Sequence, residues 1–113
     1  MRIQATVKLE KPKKLVKNGR KKLIVALTEQ VMKDSNYYAP MRDGYLVDSS
    51  INNSEPEKGI IRWVTPYARR LYYNPQFNFS KDVNPNARGL WFEAAKQSKL
   101  DEWTRLGGEA FFR

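Results

Sequence analysis

The stretch Arg2-Ile-Gln-Ala-Thr-Val-Lys-Leu-Glu10, followed by Lys11-Pro-Lys-Lys14 and then by Leu15 to Lys33, decides the fold class, because its apolar period changes across the proline. In the first part Ile3, Ala5, Val7 and Leu9 alternate with Gln4, Thr6, Lys8 and Glu10. Side chains on a strand point alternately to opposite faces, so this pattern predicts a half-buried strand. Pro12 cannot donate to a ladder and its lysine neighbours favour water, which ends the strand. From about Leu15 the apolar positions recur at steps of three and four: Val16, Leu23, Ala26, Leu27, Gln30 and Val31, with Ile24 and Met32 flanking. That spacing predicts a long helix ending at Met32 or Lys33, with Gly19 as a weak point near its start. Basic residues in its first turns oppose the helix dipole, so helix stability is not what placed them there.

Downstream, Tyr37-Tyr-Ala-Pro-Met-Arg-Asp-Gly44 reads as a connector, with Pro40 fixing one dihedral and Gly44 offering a left-handed one. A short ordered piece over Tyr45–Ile51 leads into a polar, hairpin-like loop over Asn52–Gly59. Gly59–Thr65 is strand-like in its β-branched and aromatic content. Pro66 ends it, and Tyr67–Tyr73 fits either a short helix or an edge strand. Asn74-Pro75 and Asn84-Pro85 bracket a long loop, a length that in a small domain marks function or assembly. Asn84 before Pro85 is an N-cap and first-turn pair, predicting a helix over Pro85–Lys96 with Leu90, Trp91, Ala94 and Ala95 inward. Ser98 caps a further helix with Leu100, Trp103, Thr104 and Leu106 on its packed side, and Gly107-Gly108 ends it. Glu109–Arg113 reads as a tail whose two phenylalanines are either tucked into the core or held out for a neighbour.

The expectation is one domain over 1–113: a basic strand and helix in 1–35, an aromatic loop at about 66–88 and C-terminal helices at about 85–107. Eight of the fourteen aromatic residues fall between Trp63 and Phe92, more than a small core needs from one segment. Trp63, Leu90 and Trp91 read as core, whereas Tyr72, Tyr73, Phe77 and Phe79 fit core or contact surface equally. Charge is just as uneven. Ten Lys or Arg against Glu10 and Glu29 place eight of the nine net positive charges in residues 1–33. Lys11, Lys13, Lys14, Lys17, Arg20, Lys21 and Lys22 are therefore candidate polyanion contacts, for phosphates or an acidic protein surface.

Catalytic chemistry is hard to find. The chain has no cysteine and no histidine, which removes disulfides, thiolate nucleophiles, the usual general base near neutral pH and the commonest metal ligand. Ser49-Ser50 has no activating partner in the sequence, while Glu55, Glu57, Asp101 and Glu102 read as solvated charge. No phosphate-binding glycine loop or metal-ligand spacing is present. The expectations are a non-enzyme with no cofactor, no metal and no small-molecule substrate. Without a membrane-length apolar run or a signal-peptide core, a soluble protein made inside the cell is expected.

Three ordered blocks, Tyr38-Ala-Pro-Met-Arg-Asp-Gly-Tyr-Leu-Val-Asp-Ser-Ser50, Trp63-Val-Thr-Pro-Tyr-Ala-Arg69 and Asn84-Pro-Asn-Ala-Arg-Gly-Leu-Trp-Phe-Glu-Ala-Ala-Lys96, complete the pattern. Together they resemble the small minor capsid proteins of long-tailed bacteriophages, the neck or tail-completion family, over about residues 37–97. Where many relatives carry an acidic residue and a glycine after the Tyr-Ala step, this chain has Arg69-Arg70-Leu-Tyr-Tyr-Asn74. The resemblance implies an α+β fold, with a small antiparallel sheet packed against a long N-terminal helix and one or two C-terminal helices. It also implies a subunit that joins the head's portal vertex to the tail through ring assembly. Partners would be other copies of the chain, portal or head-completion proteins and tail-terminator proteins, with non-specific contact to packaged DNA through the basic segment, at the head-tail junction of a virion made in the bacterial cytoplasm. Tyr67, Arg69, Arg70, Tyr72, Tyr73, Phe77 and Phe79 are the expected assembly contacts. The rival reading is a small basic nucleic-acid-binding module, with the lysines on phosphates and the loop aromatics on bases.

Overall fold

The alternating segment at the start forms the central strand of the sheet, and the rest of the chain is arranged around it. The computed structural model describes residues 2–9, 17–40, 44–77, 79, 81 and 84–112, with residues 17, 18, 20 and 109–112 described by their backbone alone. Strand β1 (Arg2–Leu9) is followed by helix α1 (Lys17–Asn36), helix α2 (Tyr45–Asn53), a 3₁₀ turn (Pro56–Lys58) and strand β2 (Ile60–Val64). Helix α3 (Ala68–Tyr72), helix α4 (Trp91–Arg105) and strand β3 (Gly108–Phe112) complete the order. The sheet has three strands in the order β2-β1-β3, all antiparallel. Ala5 stands opposite Ile61 on one side and Phe112 on the other.

Ile3, Ala5 and Val7 of β1 and Ile61 and Trp63 of β2 are buried, as the alternation requires, and pack with α1 and α4 in one core cluster. Trp63 and Trp91 meet edge to face with centroids 5.9 Å apart, and Phe92 stacks on Trp103 at 6.1 Å. The indole nitrogens of two of these tryptophans fix the helices in register. Trp63 Nε1 donates to Asn36 Oδ1 at 2.8 Å, and Trp103 Nε1 donates to Asp34 Oδ2 at 2.8 Å. Both acceptors sit in the last turns of α1, so one helix end is anchored to the sheet and to α4 at once.

The free side of β2 is closed by α2. The Arg62 N–H donates to Ser54 Oγ and the Val64 N–H to Ser49 Oγ, each at 3.0 Å, so its outward donors are partnered. Between α2 and β2 the chain folds back tightly. Glu55 and Ile60 exchange both backbone hydrogen bonds, and Gly59 takes φ 72°. A Cβ there would lie 2.1 Å from the Val7 carbonyl oxygen, so glycine is required by space as well as by dihedral.

Several expectations need correction. The long helix is not N-terminal, because strand β1 precedes it, and it continues past Lys33 to Asn36. Its buried line is Leu27, Thr28, Val31 and Ser35, whereas Ala26 is exposed. Ser35 is accommodated because its hydroxyl donates to the Val31 carbonyl of its own helix at 2.7 Å. Tyr45–Ile51 belongs to a full helix, α2, and Tyr67–Tyr73 resolves as the short helix α3 with its flanking caps. No helix starts at Pro85. Asn84 does form a turn, accepting from the Asn86 N–H at 3.0 Å, but its amide nitrogen donates to the Tyr37 and Ala39 carbonyls at 2.9 Å each. The chain then passes through left-handed Leu90 (φ 51°), and the helix begins at Trp91. It runs unbroken through Ser98 as a single C-terminal helix, and the expected tail is strand β3.

Candidate assembly surface

Helix α3 and the loop behind it hold the expected assembly residues, and the structure divides them. Tyr72 is fully buried, with its ring 4.6 Å from Trp91 in an edge-to-face arrangement. Tyr72 is thus a core ring and not a contact for a neighbour, because no part of it reaches the surface. Burial pushes its phenol well above the usual value, while the backbone N–H groups of Glu93 and Phe92 at the start of α4 lie against its hydroxyl. That hydroxyl faces the first turn of a helix whose Leu90 cap supplies no side-chain acceptor.

The remaining residues lie outside. Tyr67 and Tyr73 are 37% and 55% exposed, Phe77 is 36% exposed, Arg69 and Arg70 are exposed and Phe79 is half-buried. They are ordered relative to one another. The Arg69 guanidinium carbon stands 5.9 Å from the centre of the Tyr73 ring, Arg70 stands 5.7 Å from that of Phe77, and Phe77 lies 6.4 Å from Phe79. A guanidinium stacked on a ring keeps its hydrogen-bonding edge free for a partner's carboxylate. The five-residue helix brings these cations and rings together by exposing Arg69, Arg70 and Tyr73 around a buried Tyr72.

The described residues of the loop are tied down. Asn74 Nδ2 donates to the Arg70 carbonyl at 2.6 Å, the Phe77 N–H to the Asn74 carbonyl at 3.0 Å, and Lys81 Nζ to the Ala87 carbonyl at 2.9 Å. Beyond it the Arg88 N–H reaches the Tyr38 carbonyl and the Leu90 N–H reaches the Tyr72 carbonyl. Gly89 passes so close to the end of α3 that a Cβ would lie 2.8 Å from the Leu71 carbonyl oxygen and 2.9 Å from Pro75 Cα. The exposed rings therefore sit on a backbone fixed at both ends.

The basic candidates are only partly placed. Lys11, Lys13 and Lys14 lie outside the described residues, as do the side chains of Lys17 and Arg20. Lys21 and Lys22 are exposed on α1 and border an open groove of about 480 Å³ with Val25, Ala26 and Glu29. Among the described residues no cluster of acidic side chains could hold a metal ion, and no helix is long and apolar enough to cross a membrane. Glu55 accepts from Arg62 at 2.6 Å and pairs with Lys58 at 3.2 Å, and these hydrogen bonds hold its carboxyl below the usual range. It braces the turn before β2.

Sequence reasoning missed a second surface. Tyr45 and Ile51 on α2 are 66% and 63% exposed, and Asp48 lies between them on the same outer face. The spacing of 45, 48 and 51 would have shown this face had the segment been read as a helix.

No curated protein and no solved structure gives a significant match to this chain. A family model described as minor capsid protein matches residues 3–110, a span that reaches from β1 into β3 and leaves out only Arg2 of the first strand and Phe111 and Phe112 of the last. With nearly its whole length matched, the chain belongs to the minor capsid protein family, structural components of the virion.

Proposed function

We propose that this minor capsid protein is a neck subunit of a tailed phage, joining the portal vertex of the head to the tail by assembling as a ring. The observation that carries the reading is the exposed group Tyr67, Arg69, Arg70, Tyr73 and Phe77 on a backbone fixed at both ends. Aromatic and arginine side chains are the residues that dominate protein interfaces, and rings already held in place lose little entropy on docking. The uneven basic charge fits a place beside the DNA passage or beside an acidic ring. Specificity would come from protein contacts, with no chemical step.

The test is electron microscopy of particles made by the encoding phage with this gene deleted. DNA-filled heads beside separate, finished tails are expected. Normal joined virions would remove the joining role. In that case the exposed Lys21 and Lys22 would direct attention to nucleic-acid binding, read out as single-strand affinity falling steeply with salt.

A further inference from the structure

The two exposed surfaces described above complement each other. On α3, Arg69 and Arg70 stand over the Tyr73 and Phe77 rings, and no ion pair among the described residues uses either guanidinium. On α2, Tyr45 and Ile51 have the highest exposure of any large hydrophobic among the described residues, with Asp48 one helical turn from each. Helix α2 contains no lysine or arginine, and no ion pair among the described residues uses Asp48. In a chain of net charge +9, two copies repel unless the surfaces that meet are locally matched. The outer face of α2, apolar at both ends and acidic between, is such a match for a platform of two arginines and two rings.

We propose that the Arg69, Arg70, Tyr73 and Phe77 platform of one copy docks on the Tyr45, Asp48 and Ile51 face of a second copy. Asp48 accepts from the outward edge of a guanidinium, and the rings cover Tyr45 and Ile51. This rests on the assembly reading above and names the partner of that same site. Because the two patches differ, the contact is head to tail, and each copy keeps one free patch of each kind. A contact of this type propagates from copy to copy and closes as a ring when the rotation between neighbours allows it.

The chain has no cysteine, so the unmodified protein forms no disulfide with its own copies. Phage carrying the Ile51→Cys, Tyr73→Cys double variant would be oxidised as intact particles, denatured without reductant and probed for this protein. A ladder of dimers, trimers and larger species is expected, with no ladder from either single variant. A second measurement covers the case in which the cysteine pair fails to assemble. Arg70→Asp and Asp48→Arg should each lower infectious titre at least about tenfold, because like charges then meet in the contact, while the two changes together restore it. Joined particles that contain the protein but give neither ladder nor rescue would overturn this pairing and leave the joining role standing. Particles that join normally without the protein would overturn both.

Discussion

Replacing Tyr72 with alanine should destabilise the isolated protein severely, whereas the same change at adjacent Tyr73 should not. Tyr72 is fully buried and meets both Trp91 and Tyr73 edge to face, with its hydroxyl against the first backbone N–H groups of α4. Truncating a buried aromatic to alanine costs about 3–5 kcal/mol through lost transfer energy and the cavity left behind. The entropy of unfolding of a chain this size is on the order of 0.24 kcal/mol/K, so that loss lowers Tm by about 12–20 °C. Tyr73 is 55% exposed, so its truncation should change stability by no more than about 0.5 kcal/mol. Tyr72→Phe keeps the ring and removes only the hydroxyl, so it should change stability by less than about 1 kcal/mol. Thermal unfolding followed by circular dichroism, with tryptophan fluorescence as a second probe of the Trp63 and Trp91 cluster, measures all three. A Tyr72→Ala protein melting within about 4 °C of the wild type, equivalent to about 1 kcal/mol, would refute the placement of this ring in the core.

Gly89→Ala should destabilise by about 1–3 kcal/mol, because the new methyl meets backbone at Leu71 and Pro75 that cannot rotate away; chemical denaturation checks it. Ser49→Ala with Ser54→Ala should cost about 1 kcal/mol per site and speed hydrogen exchange at the Arg62 and Val64 amides, and unchanged exchange there would argue against the capped edge. Glu55 has a folded-state pKa below its ordinary 4.5, so its stabilising contribution is complete above that value and is lost as pH falls through the folded pKa. Denaturation from pH 6 down to 2 should accordingly show a steeper loss in the wild type than in Glu55→Gln. Arg69→Ala with Arg70→Ala should leave Tm within about 2 °C, as expected of exposed positions, yet remove the protein from purified virions on immunoblots.

The parts of the fold that were legible in the sequence are those in which one face is buried over several residues. Ile3, Ala5 and Val7 declared β1 because a strand half in water must alternate. The core role of Trp63 and Trp91 followed from their size. Sequence patterns failed where tertiary contacts overrode local preference. Asn84-Pro85 is a good helix start in isolation, yet the Asn84 amide holds two carbonyls of the turn after α1 and Leu90 turns left-handed before the helix begins. Ser35 lies beyond the expected helix end at Lys33, yet the helix continues and the bond of its hydroxyl to the Val31 carbonyl lets it be buried. Tyr72 and Tyr73 could not be told apart because a five-residue helix is too short to show a period. The exposed arginines and rings of the candidate site were legible by type, but the exposed face of α2 required knowing that residues 45–53 are helical.

Strand β1 sits between two partners that come from the middle and the far end of the chain, with Ala5 facing Ile61 and Phe112. Translation runs at roughly 5–20 residues per second, so β1 waits about 5–20 s between its own synthesis and that of its second neighbour. Throughout that interval Ile3, Ala5 and Val7 present an apolar face without a complete sheet. Long-range pairing of this kind also slows the final step once the chain is free. The sheet of this subunit is thus complete only once β3 has been made, and until then β1 keeps one unpaired edge.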